Sequence, residues 1–150
     1  MDDFEQELKE DFLTESEDLL SAAEDAFLRL ENERDNPDLI NEIFRLAHNL
    51  KGTAKAVGFD QLSEFTHIAE NLILKIKKNE IVINDKIISA LLTFKDKVNE
   101  IVDGLKSDFN AQFDIENIKS FLQVLANEEV SQPKKNETEQ VPNIQETPSS

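Results

Sequence analysis

The chain of 150 residues carries 32 acidic and 16 basic side chains, a net charge of −16 at neutral pH, and contains no cysteine. It can therefore form no disulfide or thiolate metal site, and its acidity argues against nucleic acid as a partner, because phosphate contacts need clustered Lys and Arg. No apolar run approaches the roughly 20 residues of a membrane-spanning helix, and the acidic N-terminus is unlike a secretory signal. We expect a soluble, cytoplasmic protein without membrane insertion.

The composition also favours helices. The chain has three glycines, no tryptophan and no tyrosine, and is rich in Leu, Ile, Glu, Lys and Asn, which is typical of an all-helical protein. None of the glycines belongs to a Gly-rich phosphate loop. We therefore expect no nucleotide or other cofactor to bind in this domain.

The first predicted helix runs from about Asp2 to Glu33 and is strongly acidic, with thirteen acids against two basic residues, a net charge of −11. Its acidic side is either a solvated face that keeps the chain soluble or a surface that attracts a basic partner. Apolar residues recur at three- and four-residue spacing: Phe4, Leu8, Phe12, Leu19, Ala23, Ala26, Phe27 and Leu30.

The second predicted helix begins at Asn36-Pro37-Asp38, where Asn caps the free amides and Pro fits the first turn. It should end at Gly58, since glycine readily adopts the left-handed conformation that follows a helix. Its apolar stripe consists of Leu39, Ile43, Leu46, Leu50, Ala54 and Val57.

His48 lies on the other side of this helix. At about 100° per residue, it is roughly 140° from the centre of the apolar stripe, so it should face water. Lys51, Gly52 and Lys55 follow at i+3, i+4 and i+7 and share its side. An exposed imidazole beside two ammonium groups indicates chemistry, although an ordinary surface histidine is the alternative.

Asp60 is the predicted N-cap of a third helix. On its helical wheel, His67 lies opposite the apolar stripe and Glu70 lies on the flank. The stripe consists of Leu62, Phe65, Ala69, Leu72, Ile73 and Ile76.

The apolar run 81–83 is predicted as an extended connection, because a strand here would have no partner strand in the sequence. Asn84 then caps a fourth helix of roughly residues 85–105, and Gly104 together with residues 107–110 marks its end. Its stripe, interrupted by Lys95, is Ile87, Ile88, Leu91, Leu92, Lys95, Val98, Ile101, Val102 and Leu105. A fifth helix, about residues 114–127, has on one side Ile115, Ile118, Phe121, Leu122 and Leu125.

Four amphipathic helices joined by short turns predict an all-α fold, an antiparallel four-helix bundle with an additional short C-terminal helix. This domain should span residues 1–127. From residue 128 onward the chain has three prolines and almost no apolar side chains. Residues 128–150 are therefore predicted to be a disordered linker or tail.

The two histidines raise three chemical possibilities. Glu64 and His67 match the E-x-x-H of di-iron bundles, but such sites need a second motif and two further inward carboxylates, so no metal is expected. A hydrolase needs a nucleophile in a pocket, and no serine stands out on these convex helices. The third possibility is that His48 is itself the nucleophile.

An imidazole attacks through its unprotonated nitrogen, and the hydrogen bond of the other nitrogen sets the tautomer. Glu70 on the next helix is placed in the sequence to accept that bond. A phosphoryl group on His48 would add about two negative charges. Lys51 and Lys55 would supply positive charge beside it, and Gly52 would clear space for a partner.

The resemblance to a known family lies in two segments, A-H-N-L-K-G-T-A-K-A-V-G-F (47–59) and T-H-I-A-E-N-L (66–72). They contain, in order, His-x-x-Lys-Gly, Gly-Phe and His-x-x-Glu. The pattern resembles the histidine phosphotransfer (HPt) family, in particular the N-terminal phosphotransfer domains of chemotaxis histidine kinases of the CheA type. The resemblance covers roughly residues 3–126.

The resemblance implies a role for each residue. His48 would carry a phosphoryl group on Nε2, Glu70 would hold Nδ1–H, and Lys51 would stabilise the phosphate charge. His67 would tune the same network, and Gly52 would leave room for docking. The donor would be ATP, with Mg, on a separate histidine kinase catalytic domain, and the acceptor an aspartate of a response-regulator receiver domain.

The sequence departs from the pattern of this family at Thr53-Ala54-Lys55, which replaces a stretch rich in Gly and Ser. Lys55 either binds phosphate or is merely solvated. No kinase motif is present, so these residues should not phosphorylate themselves. Three alternatives stay open: a part of a chemotaxis kinase, a free-standing HPt protein of a phosphorelay, and a non-catalytic helical interaction module.

Overall fold

The computed structural model describes residues 2–130, which form five α-helices and no strand. The helices are α1 (Asp3–Leu30), α2 (Pro37–Ala56), α3 (Asp60–Lys77), α4 (Asp85–Ser107) and α5 (Glu116–Val130). The helices α2 and α4 each pack against α1 and α3, which closes the bundle, and α5 covers α3 and α4. The predicted all-α bundle with an additional C-terminal helix is confirmed, with helix ends within three residues of those predicted.

The helix starts are set by local side-chain chemistry, with one exception. Asn36 and Asn84 accept backbone N–H bonds at the starts of α2 and α4, as predicted. Asp60 is not the cap of α3: the N-cap is Phe59, and no side chain caps that end. The Phe59 ring is buried in the core, and Asp60 becomes the first helical residue, where its carboxylate favours the helix dipole.

The turn between α2 and α3 is built on Gly58, whose φ of +90° is the left-handed conformation that glycine adopts without strain. The N–H of Phe59 bonds back to the carbonyl of Ala54 at 2.9 Å, and the N–H of Gly58 bonds to Lys55 at 3.1 Å. This is the Schellman arrangement of a helix C-terminus. Because it reverses the chain at a fixed point, it sets the register in which α2 and α3 pack side by side.

Phe4 and Leu8 continue the apolar spacing of α1 but do not belong to the core: they are 68% and 42% exposed. The side chain of Lys9 donates a hydrogen bond to the carbonyl of Val57, just past the end of α2. The first two turns of α1 therefore extend beyond the end of α2, and their apolar side chains stay exposed within the part of the chain that the structure describes.

Four other sequence predictions are also corrected. On α4 the core position belongs to Phe94, which is fully buried against Phe65, whereas Lys95 keeps an exposed part and pairs with a carboxylate. Gly104 lies inside α4, where a Cβ would come within 2.5 Å of the Phe113 ring. Phe121 of α5 is 36% exposed. Of the predicted tail, residues 128–130 belong to α5, and residues 131–150 lie outside the described range.

Candidate functional site

The centre of the site is a three-residue contact between α2 and α3. His48 Nδ1 lies 2.6 Å from Glu70 Oε2, and Lys51 Nζ donates to Glu70 Oε1 at 2.7 Å. The exposed fraction of the side chain is 65% for His48, 28% for Lys51 and 8% for Glu70. The carboxylate is thus buried between the helices, while the imidazole that it holds faces solvent.

Helical spacing and helix packing together produce this geometry. His48 and Lys51 are three residues apart on α2 and therefore share a face, as the sequence predicts. Glu70 reaches them from α3, which packs against α2 after the turn at Gly58. Ser63 Oγ adds a further bond across the helices, to the backbone carbonyl of Lys51 at 3.0 Å.

The electrostatics of the site fix the protonation of Glu70. Burial raises the pKa of Glu70, but the hydrogen bonds from Lys51 and His48 and their charges outweigh it, so the pKa lies below its ordinary value. At neutral pH Glu70 is a carboxylate with both oxygens engaged. Because a carboxylate only accepts, the imidazole must donate from Nδ1, which leaves the Nε2 lone pair of the neutral ring free.

His67 lies beside this contact rather than in it. It is exposed, and no hydrogen bond joins it to His48 or Glu70 in the part of the chain that the structure describes. Together with Lys51, Gly52 and Lys55, it lines a shallow surface depression between α2 and α3. The resemblance implied that His67 tunes this network, but His67 makes no hydrogen bond to His48 or Glu70 through which it could do so directly.

Gly52 and Lys55 both face solvent. A Cβ added to Gly52 would meet nothing within 4 Å, so the packing of this chain does not require glycine there. Lys55 is exposed and forms no ion pair within residues 2–130. Both therefore belong to a surface that an approaching molecule can reach.

Two further residues of the site were missed from the sequence. The ring of Phe44 stacks on His48, with centroids 5.9 Å apart and planes 17° from parallel. Lys77 Nζ lies 4.6 Å from the centroid of the Phe44 ring. The spacing of Phe44 and His48, four residues on one helix, was a signal that could have revealed the stack.

No group of three or more His, Asp or Glu side chains within residues 2–130 could hold a metal ion. Glu64, from the E-x-x-H pattern, instead places Oε2 3.6 Å from Lys119 Nζ of α5.

None of the helices described here is long and apolar enough to cross a membrane.

Comparison with known proteins relates this geometry to a family. The model of the Hpt domain family matches residues 7–94. The chemotaxis protein CheA of Borreliella burgdorferi is 35% identical over 112 residues, which are 74% of this chain and 13% of that protein. Across the first CheA relatives, the chain spans less than a fifth of their length.

Two solved structures share the fold. The histidine phosphotransfer domain of CheA superposes with a TM-score of 0.65 at 28% identity, over 83% of this chain and 92% of that one. The phosphorylated P1 domain of CheA3, in complex with CheY6 from R. sphaeroides, gives a TM-score of 0.73 at 19% identity, over 81% and 97%. With the family model matching more than half of its residues, this chain belongs to the Hpt domain family.

Proposed function

We propose that this domain is a phosphohistidine carrier of a two-component chemotaxis system. His48 takes the phosphoryl group of ATP, bound with Mg on a separate histidine kinase catalytic domain, and passes it to an aspartate of a response-regulator receiver domain. The observation that carries the proposal is the exposed imidazole whose Nδ1 lies 2.6 Å from the buried carboxylate of Glu70. That contact prepares Nε2 as a nucleophile and leaves it open to a partner.

The loading step uses the free lone pair of Nε2. This lone pair forms an N–P bond with the γ-phosphorus, the bond from that phosphorus to the bridging oxygen breaks, and ADP leaves with the electron pair. The Nδ1 proton stays on the ring, which becomes positively charged. Glu70 stabilises that charge as it develops, because its carboxylate is already hydrogen-bonded to Nδ1.

The unloading step reverses the electron flow. An aspartate oxygen of the receiver attacks the phosphorus, the N–P bond breaks, and its electron pair returns to Nε2 of the neutral imidazole. Both steps require that a second protein domain reach the same atom. The exposure of His48 and the open space above Gly52 allow such an approach.

The relatives and solved neighbours support this assignment. The relatives are named as chemotaxis proteins, and one solved P1 domain is phosphorylated and in complex with CheY6. Lys51 is the cation nearest to the Glu70 carboxylate. We assign Lys55, which lines the depression beside it, to the surface that a partner domain contacts.

The test is incubation with a CheA-type kinase catalytic core, Mg and ATP labelled on the γ-phosphate. We expect label that is lost in acid and survives base, as phosphohistidine does, and that is absent from His48→Gln. Circular dichroism should show that this variant keeps its helices, because the His48 side chain is 65% exposed and Glu70 retains its bond from Lys51. His67 is the other histidine of the sequence, so label that persists in His48→Gln would move the site there. An unlabelled wild-type protein beside a labelled CheA phosphotransfer domain would favour a non-catalytic helical module.

A further inference from the structure

The imidazole of His48 is held by two different contacts. Its hydrogen bond to Glu70 fixes Nδ1 but leaves the ring free to swing about that bond. Its near-parallel stack on Phe44 restricts the plane of the ring. Because helical side chains lean toward the N-terminus, the His48 ring lies over the turn that carries Phe44. The two contacts together determine where the Nε2 lone pair points.

Phe44 is in turn fixed from two sides. Its ring is half-buried and packs against the hydrophobic core. Lys77, the last residue of α3, places its ammonium 4.6 Å from the ring centroid, within the range of a cation–π contact. Lys77 forms no ion pair with a carboxylate in residues 2–130. A free cation at the end of α3 is thereby held beside the site on α2.

The charges of the site leave a phosphoryl group without a dedicated partner. Lys51 donates to Glu70 at 2.7 Å, so these two charges compensate each other. A phosphoryl group brings about −2. Lys55 lies about 10 Å farther toward the C-terminus of α2. The His48 side chain leans the opposite way, toward the N-terminus and Phe44. By the two ring distances, Lys77 Nζ is no more than about 10.5 Å from the imidazole centre, which is comparable to the screening length of about 10 Å.

We propose that Phe44 is a positioning residue that orients the His48 ring, and that Lys77, held on the Phe44 ring, stabilises the phosphoryl group on Nε2. The role of Lys77 rests on the proposed function, whereas the role of Phe44 is a property of the unphosphorylated domain. The matched substitutions are Phe44→Leu, which keeps an apolar side chain without a ring, and Phe44→Tyr, which keeps the ring. Lys77→Gln removes the cation, and Lys78→Gln makes the same charge change one residue away.

The first measurement is the tautomer of His48, from ¹⁵N shifts of its ring nitrogens across a pH titration. The chain has two histidines, so His48→Gln assigns the signals. Without the stack, the imidazole can rotate away from Glu70, whose hydrogen bond favours Nδ1–H. We therefore expect Phe44→Leu to raise the ratio of the Nε2–H to the Nδ1–H tautomer about two- to twelve-fold, the range that one aromatic contact corresponds to, and Phe44→Tyr to keep the wild-type ratio. Wild-type tautomer ratios in folded Phe44→Leu would show that Phe44 is core packing alone, and would overturn its positioning role.

The second measurement is the rate of phosphorylation by phosphoramidate, a small donor that needs no protein partner. Nε2 forms the N–P bond, the P–N bond of the donor breaks, and ammonia leaves. We expect Lys77→Gln to slow the reaction about 1.5- to four-fold, the range for a charge of about −2 roughly 10 Å from a cation in water with and without screening. The loss should shrink at high salt, and Lys78→Gln should match the wild type. Equal rates for Lys77→Gln and Lys78→Gln would overturn the role of Lys77.

The outcomes also separate this proposal from the proposed function. If the kinase core labels the wild type and Phe44→Leu and Lys77→Gln react as the wild type does, the further inference fails alone. If neither donor phosphorylates the wild type, the proposed function fails and the role of Lys77 fails with it. The tautomer measurement then still decides the role of Phe44.

Discussion

Replacing Glu70 by Gln tests the contact on which the proposed mechanism depends. The amide has nearly the same shape but no charge, so it no longer stabilises the positive ring that forms when Nε2 attacks. A hydrogen bond to a charged group contributes about 1.5–3 kcal/mol. At about 1.36 kcal/mol per factor of ten, its loss slows phosphorylation about 10- to 150-fold. Lys51 would also lose its partner at 2.7 Å, although it stays partly exposed to water.

The assay follows initial rates of label transfer from a kinase catalytic core at saturating ATP, for the wild type and Glu70→Gln. The matched control is Glu100→Gln, which makes the same change at an exposed carboxylate of α4 that pairs with Lys97. We expect the control to react at the wild-type rate and Glu70→Gln to react slowly but to completion. An unchanged rate in folded Glu70→Gln would remove Glu70 from the mechanism, and complete loss of labelling would show that Glu70 does more than stabilise the charge of the ring through this hydrogen bond.

The free energy of unfolding tests three other features: the buried carboxylate, the turn at Gly58 and the open surface at Gly52. The lowered pKa of Glu70 contributes stability above its ordinary value of 4.5, and this is lost as the pH falls through the lower pKa of the folded state. The free energy of unfolding in urea should therefore fall more steeply on acidification for the wild type than for Glu70→Gln; parallel curves would contradict this. Gly58→Ala should cost about 1–3 kcal/mol in the same measurement, because its φ of +90° strains any side chain. Gly52→Ala, with open space around its Cβ, should instead gain about 0.5–1 kcal/mol, and a loss would refute its place on a free helix surface.

Much of the fold followed from the sequence because helical periodicity and cap residues act locally. Asn36 and Asn84 start their helices as predicted, and His48 is exposed as its wheel position requires. The errors occur where a neighbour decides. Phe4 continues the apolar period of α1 but is exposed among residues 2–130, and periodicity cannot show where a partner helix ends. Phe59 starts α3 in place of a polar cap because the core has room for its ring.

The candidate site divides in the same way. That His48 and Lys51 share a face follows from spacing on one helix. Lys51 binds the second oxygen of Glu70 and is therefore already paired before any phosphate arrives. This contact depends on how α3 is rotated and aligned against α2, which the sequence does not show. The sequence did not reveal Phe44 as a site residue. It is half-buried at the border of the apolar stripe, where a helical wheel places it neither with the core residues nor with the His48 face.

The contrast in exposure within one hydrogen-bonded pair suggests why such a site is built on a convex surface. Under the proposed function two different protein domains reach Nε2 in turn, so His48 cannot lie in a pocket, and it is 65% exposed. If His48 were exposed without Glu70, hydrogen bonds to water would allow both neutral tautomers. Glu70 selects the Nδ1–H tautomer from the buried side of the ring. It is only 8% exposed, and a carboxylate buried between helices can neither be displaced by a docking partner nor easily be solvated. The bundle thus supplies through its interior the orientation that an enzyme pocket supplies through its walls.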